Sequence, residues 1–411
     1  MITAAEASAR ILERIHRMPA EQVPLHAAHG SITASDIVAT VTHPPWNNSS
    51  MDGYAVRSAD LTTLPCRLRV VGGVVAGAFP ENDIGTGEAM RVMTGAPIPA
   101  SADTVIRFED TDSGTSVVEI RDGRDLGKNV RPRGEDYSEG DVLLPAGHEV
   151  SAAAIGVLAS TGISTVRVFR RPTVGIVSSG DELVMLDRFD AVRRGERIVS
   201  SNSYTLPALV REAGGVPLDF GIAEDSTEAI QQKIEAARGC DLIITTAGVS
   251  VGEHDYTRHA MEQLGAELDF WKVRIRPGAP MAFGTLDGTP WIGLSGNPVS
   301  AMVTFELFVH PAIRKMRGCD AVFPTSFRAQ LETPVTTSAP LTHFLRAVTY
   351  STPQGAMVRQ VSTQSTGALS SLVRANALLV VPHDRQQLDA GETVTVIPFG
   401  TGALHTHHFP L

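Results

Sequence analysis

From residue 172 to about 316 the sequence alternates strand and helix patterns, and this constrains the fold more than any other feature. "TVGIVSSGDELV" reads as a buried strand running into a turn. "SYTLPALVREAGG" reads as a helix stopped by Gly214-Gly215. "VPLDFGIAED" is a strand, and "STEAIQQKIEAARG" is a helix with Ser226 as its N-cap. "CDLIITTAGVSVG" predicts a strand and a small-residue loop, followed by the helix "DYTRHAMEQLG". "AELDFWKVRIRPG", "PMAFGTL" and "TPWIGLS" predict three more strands. "NPVSAMVTFELFVHPAIRKM" is a long helix with Asn297 as cap and Pro298 in its first turn. Such alternation implies a mostly parallel sheet covered by helices on both faces. Ligands of such sheets bind at the carboxyl ends of the strands, where the loops at 178–182, 247–252 and 295–298 fall.

The flanking segments differ. Residues 52–133 carry short strands and turns, a small β-rich domain. Residues 134–170 give a hairpin, a helix and an extended exit, expected to pack back against the first helix. That makes a discontinuous N-terminal domain of 1–51 with 134–170. The αβα unit is placed at 171–320, and residues 321–411 form a second β-rich domain, a small barrel or sandwich. The fold class is therefore α/β multidomain: a three-layer αβα domain with β-rich N-terminal and C-terminal domains. A chain of 411 residues requires several cores.

Composition closes off some functions. A formal charge of -10 argues against general nucleic-acid binding. No apolar run reaches the ~18 residues of a membrane span. The start, "MITAAEASARILERIHRM", is an amphipathic helix with Ile11, Leu12 and Ile15 on one side and lacks a signal-peptide pattern. Cys66, Cys240 and Cys319 are scattered and odd in number, which fits a reducing cytoplasm and neither disulfides nor zinc. The tail "HTHHFPL" has three His and reads as a frayed terminus.

Several carboxylates stand in loops beside Gly: Asp52 in "MDGY", Asp136 in "RGED", Glu182 in "SSGDEL", Asp225 in "AEDS" and Asp255 in "VGEHDY". Singly each reads as a cap or turn residue, and Asp52-Gly53 is a common turn pair. Together they are a candidate oxygen-ligand set for a hard cation such as Mg²⁺. Two loops suit anions. "TTAGVSVG" offers backbone N–H groups at a strand end, and "SGNPVS" sets Ser295, Gly296 and Asn297 at a helix start. "TGAPIP" places Thr94 as a donor. Neither Gly-rich loop matches the P-loop or dinucleotide fingerprints. His43, His254 and His343 remain open as bases, without a nucleophile paired to them in sequence.

The blocks "NSSMDGYAV", "MTGAPIPASADTVIRFE", "VRPRGEDYSEGDVLLPAG", "VGIVSSGDELV", "DLIITTAGVSVGEHDY", "RIRPGAPMAFG" and "GLSGNPVSAMVTFELFV" resemble those of the molybdopterin molybdenumtransferase (MoeA) family. This family includes the E domain of gephyrin. The resemblance spans essentially the whole chain in one order. It implies a cytoplasmic homodimer of four-part chains with a molybdopterin-binding αβα domain. It also implies insertion of molybdate into adenylylated molybdopterin with release of AMP, assisted by Mg²⁺ or another divalent cation.

By motif, the resemblance makes Asp52, Thr94, Asp136, Glu182, Asp225 and Asp255 active-site residues, with Asp52 presented across the dimer interface. It makes Asp52, Glu182, Asp225 and Asp255 the metal set. Gly248, Ser250, Gly252, Arg276, Ser295, Gly296, Asn297 and Arg346 would bind substrate, Arg346 reaching in from the last domain.

The sequence departs from the family pattern in several places. "KPGKP" is "RPGAP", so Arg276 and Ala279 replace two lysines. "GGVS" is "AGVS" at Ala247, "PGNP" is "SGNP" at Ser295, and Ser200 stands where Asp is usual. Thr366 in "QSTGALSS" is a mild change. Only four of the 35 basic residues are Lys, so Arg for Lys also follows the chain's own bias. These departures keep an alternative open: a gephyrin-like scaffold with weakened catalysis. It would bind a short peptide of a cytoskeletal or cell-division protein, such as the tail of a tubulin homologue.

Overall fold

A computed structural model describes residues 1–248, 256–337 and 340–400. Its centre is a six-stranded sheet ordered Val216–Ala223, Thr173–Ser179, Leu242–Thr246, Thr289–Leu294, Pro280–Leu286, Glu267–Lys272. The first four strands run parallel, Pro280–Leu286 runs opposite to them, and Glu267–Lys272 pairs antiparallel to it and so runs with the first four. Strand Leu242–Thr246 is buried at all five positions, as a central parallel strand must be. Its side chains alternate between layers. Leu242 and Ile244 meet Leu206, Leu209 and Val299 on one face. Ile243 meets Ile230, Ile234 and Met261 on the other. The helices therefore cover both faces.

Helix Thr227–Ala236 begins where the sequence indicates, with Ser226 Oγ accepting from Ala229 N at 3.2 Å. Pro298–Thr304 continues through one π turn, Phe305–Val309, into His310–Met316. Pro311 has no N–H to give Leu307 and would crowd that carbonyl, and the wider turn relieves the conflict. "AELDFWKVRIRPG" is two strands, Glu267–Lys272 and Ile275–Arg276, because the second leaves this sheet for the C-terminal one.

The C-terminal sheet runs Ile275–Arg276, Thr342–Thr352, Gly355–Gln360, Phe327–Leu331, Thr393–Pro398, Ala377–Val381. Thr342–Thr352 also pairs with Ala377–Val381, so the last five strands close into a barrel around Leu345, Val358, Leu379 and Val396. In the N-terminal half, Gly53–Val56 sits between Thr104–Arg107 and Glu88–Val92 in a five-stranded sheet.

The first helix, Ala4–Arg14, packs elsewhere than expected. Thr3 and Glu6 form its capping box. Ala7, Ile11 and Ile15 then join Phe305, Val309 and Ile313 in the central core. Residues 134–170 instead meet residues 20–38. Thr165–Phe169 pairs with Ala20–Pro24 and Val142–Leu144 with Ile37–Val38. Among the described residues, no helix is long and apolar enough to cross a membrane.

Candidate active site

A cleft of ≈ 630 Å³ opens at the carboxyl ends of the parallel strands. Ser179 and Thr246 end two strands at its floor, and Ser295, Gly296 and Asn297 follow the end of a third. Glu182 and Gly248 line its walls, and Gly367 and Leu369 reach it from the C-terminal part of the chain. Helix Asn202–Glu212 starts at the cleft, and its N-cap Ser201 makes no side-chain cap bond. The helix starting at Pro298 is uncapped in the same way. Both starts turn backbone N–H groups and a positive dipole end toward one space. Asn202 Nδ2 donates to Gly296 O at 2.9 Å and ties the two starts together.

Behind the wall, Ser200 Oγ lies 2.7 Å from Ser203 Oγ, which lies 3.2 Å from Ser178 Oγ. Thr246 Oγ1 donates to Ser178 Oγ at 3.2 Å. Ser200 is thus one end of a buried hydroxyl chain. Among the described lining residues Glu182 alone is charged. The described lining thus offers amides, hydroxyls and helix dipoles rather than cationic side chains.

Backbone geometry fixes the glycine loops. Gly248 has φ +65°, and a Cβ there would stand 2.2 Å from Thr257 Oγ1. Ala247 adopts the left-handed region, φ 73°, despite its methyl group. Thr257 Oγ1 donates to Ala247 O at 3.2 Å and holds it there.

The acidic residues fall into separate groups. Asp52 Oδ1 accepts from Thr94 N at 2.7 Å and from Thr94 Oγ1 at 2.8 Å. These bonds, the backbone one first, hold the Asp52 carboxyl below the usual carboxylate range. Gly53 must be glycine, because a Cβ would fall 2.0 Å from Ile106 O. This tight fit explains Asp-Gly at a strand mouth. Asp136 lies on an adjoining loop, its N–H donating to His43 O at 3.1 Å, while Asn47 Oδ1 accepts from Arg133 N. Asp52, Thr94 and Asp136 therefore sit on the N-terminal β-rich part, and none of them lines the cleft.

Asp225 stands beside the Glu182 loop. Asp225 N donates to Asp181 Oδ1 at 3.1 Å, and Asp181 N to Asp225 Oδ2 at 3.3 Å. Asp181 is a partner that motif reading passed over, although it adjoins Glu182 in "SGDEL". Asp255, Ser250, Gly252 and His254 lie outside the described residues. Among the described residues no group of three His, Cys, Asp or Glu could hold a metal ion. Of the expected metal set, Asp52, Glu182 and Asp225 do not form such a group among the described residues, and Asp255 lies outside them.

The two arginines of the expected substrate set stand off the cleft lining. Arg276 is exposed on the short strand beside the barrel, and the chain then runs through Gly278 and Ala279 to Pro280, which lines the cleft. Arg346 is 1% exposed and does not line the cleft. Its side chain is spent on loop carbonyls and a serine hydroxyl.

Three family profiles match in order: the MoeA N-terminal region (domain I and II) over residues 2–162, a probable molybdopterin binding domain over 175–315, and the MoeA C-terminal region (domain IV) over 328–399. A molybdopterin molybdenumtransferase of Staphylococcus aureus (strain MSSA476) is 36% identical over 404 residues, covering 96% of this chain and 95% of that protein. This chain belongs to the MoeA family. The Haemophilus influenzae molybdopterin molybdenumtransferase is 35% identical over 97% of this chain and 99% of its own length. The molybdopterin biosynthesis MoeA protein from Pyrococcus horikoshii OT3 superposes with a TM-score of 0.83 at 30% identity, covering 97% of this chain and 100% of that one. Within the MoeA framework the cleft falls in the segment matched by the molybdopterin-binding profile, with Gly367 and Leu369 supplied by the domain IV match.

Proposed function

We propose that this protein inserts molybdate into adenylylated molybdopterin and releases AMP, acting in the cytoplasm as a homodimer. The observation that carries the reading is the cleft itself. It is polar, sits at parallel strand ends, is fed by two uncapped helix starts, and among the described lining residues has a single charged one, Glu182. Adenylyl phosphate and molybdate are both anions, and amides with hydroxyls suit them.

The chain's own residues divide the work. Gly248, Gly296 and Asn297 offer backbone close to a ligand, and Ser295 offers a hydroxyl. Asp52, held low by Thr94, is ionised at neutral pH and serves as a fixed negative charge rather than a proton donor. In this reading a second copy brings Asp52 and Thr94 to the cleft, and Glu182, Asp225 and Asp255 complete the acidic set. A divalent cation bound there would supply Lewis-acid polarisation of the anions. The peptide-binding alternative rests only on the motif departures, at Arg276, Ala279, Ala247, Ser295 and Ser200 among them.

The test is AMP release and cofactor formation by purified protein given adenylylated molybdopterin, molybdate and Mg²⁺. Native protein should turn over, and Asp52→Ala should lose about 10²-fold or more. Tight molybdopterin binding without AMP release would refute the proposal and favour the scaffold.

A further inference from the structure

Arg317 ends helix His310–Met316 and is 7% exposed. Its guanidinium bridges two parts of the chain. Nη1 donates to Ala213 O at 3.0 Å, and Nη2 donates to Gly30 O. Ala213 caps the C-terminal end of helix Asn202–Glu212, whose start lines the cleft. Its carbonyl is one of those a helix leaves unpaired at that end, where the dipole favours a cation. Gly214, at φ +85°, lets the guanidinium lie against the backbone, because a Cβ there would stand 2.4 Å from Arg317 Cζ. Gly30 lies on the other side of the joint. Its N–H donates to Val150 O at 2.9 Å, within the N-terminal part that carries Asp52, Thr94 and Asp136. Two further contacts close the same joint. Met18 N donates to Met316 O at 2.7 Å, and Gly318 packs under the Phe169 ring, where a Cβ would come within 2.2 Å. Both acceptors of Arg317 are uncharged carbonyls, and burying a guanidinium on such partners is costly. An apolar side chain could fill the space more cheaply, whereas the planar fork holds a carbonyl from each side at once.

We propose that Arg317 is a positioning residue of this joint, which fixes the angle at which a chain presents its Asp52, Thr94 and Asp136 to the cleft of a second copy. This deepens the proposed function and rests on its reading of a site shared between two copies. No described lining residue of the cleft comes from the N-terminal part. Loss of Arg317 therefore lowers the bound-state rate and leaves molybdopterin binding in the cleft intact.

Subunit mixing with the full-length protein tests it. Arg317→Met should lower kcat about tenfold or more, with the Kd for molybdopterin within about threefold of native. Its defect should then behave like loss of Asp52. Mixing Arg317→Met with Glu182→Gln should bring activity to about a quarter of native, because one hybrid site joins an intact cleft to a correctly held Asp52. Mixing Arg317→Met with Asp52→Ala should bring no recovery, because no site receives a correctly held Asp52. Hydrogen exchange of the 16–20 peptide should speed up in Arg317→Met, since Met18 bonds across the joint. Arg317→Lys, which reaches one carbonyl at a time, should fall between native and Arg317→Met in kcat. It carries the mixing test if Arg317→Met does not fold. A fault confined to the central domain would give the reverse pattern, recovery with Asp52→Ala and none with Glu182→Gln. That pattern, a weakened Kd at unchanged kcat, or unchanged exchange at 16–20 would each overturn the proposal. If Asp52→Ala mixed with Glu182→Gln shows no recovery, the shared-site reading fails, while exchange at 16–20 still decides whether Arg317 holds the joint.

Discussion

Ala247 and Gly296 face each other across the two anion loops, and their coupling can be worked out from the backbone. Ala247 has φ 73°, a conformation that costs a residue with a Cβ about 1–2 kcal/mol. Ala247→Gly removes that cost but adds unfolded-state freedom of about 0.4–1 kcal/mol. The net expectation is a gain of about 0.5–1 kcal/mol. Gly296→Ala places a Cβ 3.1 Å from Ala247 Cβ and 3.5 Å from its Cα. The Cβ contact is too close, and relieving it should cost about 1 kcal/mol. In the Ala247→Gly background that methyl is gone, and 3.5 Å is ordinary contact. The double variant should therefore show a favourable coupling of about 1 kcal/mol. Urea unfolding followed by tryptophan fluorescence measures it, because Trp271 and Trp291 both lie in the central sheet. A common Trp46→Phe background silences the remaining tryptophan. Additive effects, or destabilisation by Ala247→Gly alone, would show that the loops do not meet as described.

Two further outcomes follow from how the acidic groups are placed. Asp52 and Glu182 stand on different parts of one chain, so if a dimer assembles the site, mixing inactive Asp52→Ala with inactive Glu182→Gln should restore about a quarter of native activity in the random hybrid population; no recovery after subunit exchange would place both residues in one chain's site. Thr94→Val removes the hydroxyl donated to Asp52 but keeps the backbone N–H, so the Asp52 pKa should rise part-way toward normal in a carboxyl NMR titration. The carboxyl is depressed in the fold. Its contribution is therefore present above the unfolded value of about 3.9 and is lost as pH falls through the folded value, and the variant should begin to lose it at higher pH. An unmoved titration would mean the hydroxyl does not hold the carboxylate.

What was legible in the sequence is what local chemistry decides. "LIITT" had to be a central strand, because an unbroken β-branched and apolar run suits a sheet buried on both faces. Ser226 had to cap a helix, since its hydroxyl reaches the N3 amide. What was not legible depends on contacts between distant residues. Barrel closure needs Thr342–Thr352 to pair on both sides, and strand pattern alone leaves barrel and sandwich equal. The docking of Ala7, Ile11 and Ile15 on the Pro298–Met316 helix could not be told from docking on residues 134–170, because either surface would bury the same stripe.

The candidate site divides in the same way. Motifs located the loop carboxylates, but not the Asp181–Asp225 exchange, which joins loops 44 residues apart. Arg346 shows the limit most sharply. Residue type and motif position pointed to an anion, yet its fork closes on three oxygens of its own chain. Among its described lining residues the cleft is left with a single charged one, Glu182. If the cleft takes anions as proposed, with no cationic side chain among its described lining residues, its positive potential comes from backbone amides. In the proposed reading, binding then depends on the setting of the 295–298 loop, at an uncapped helix start, rather than on any one lysine.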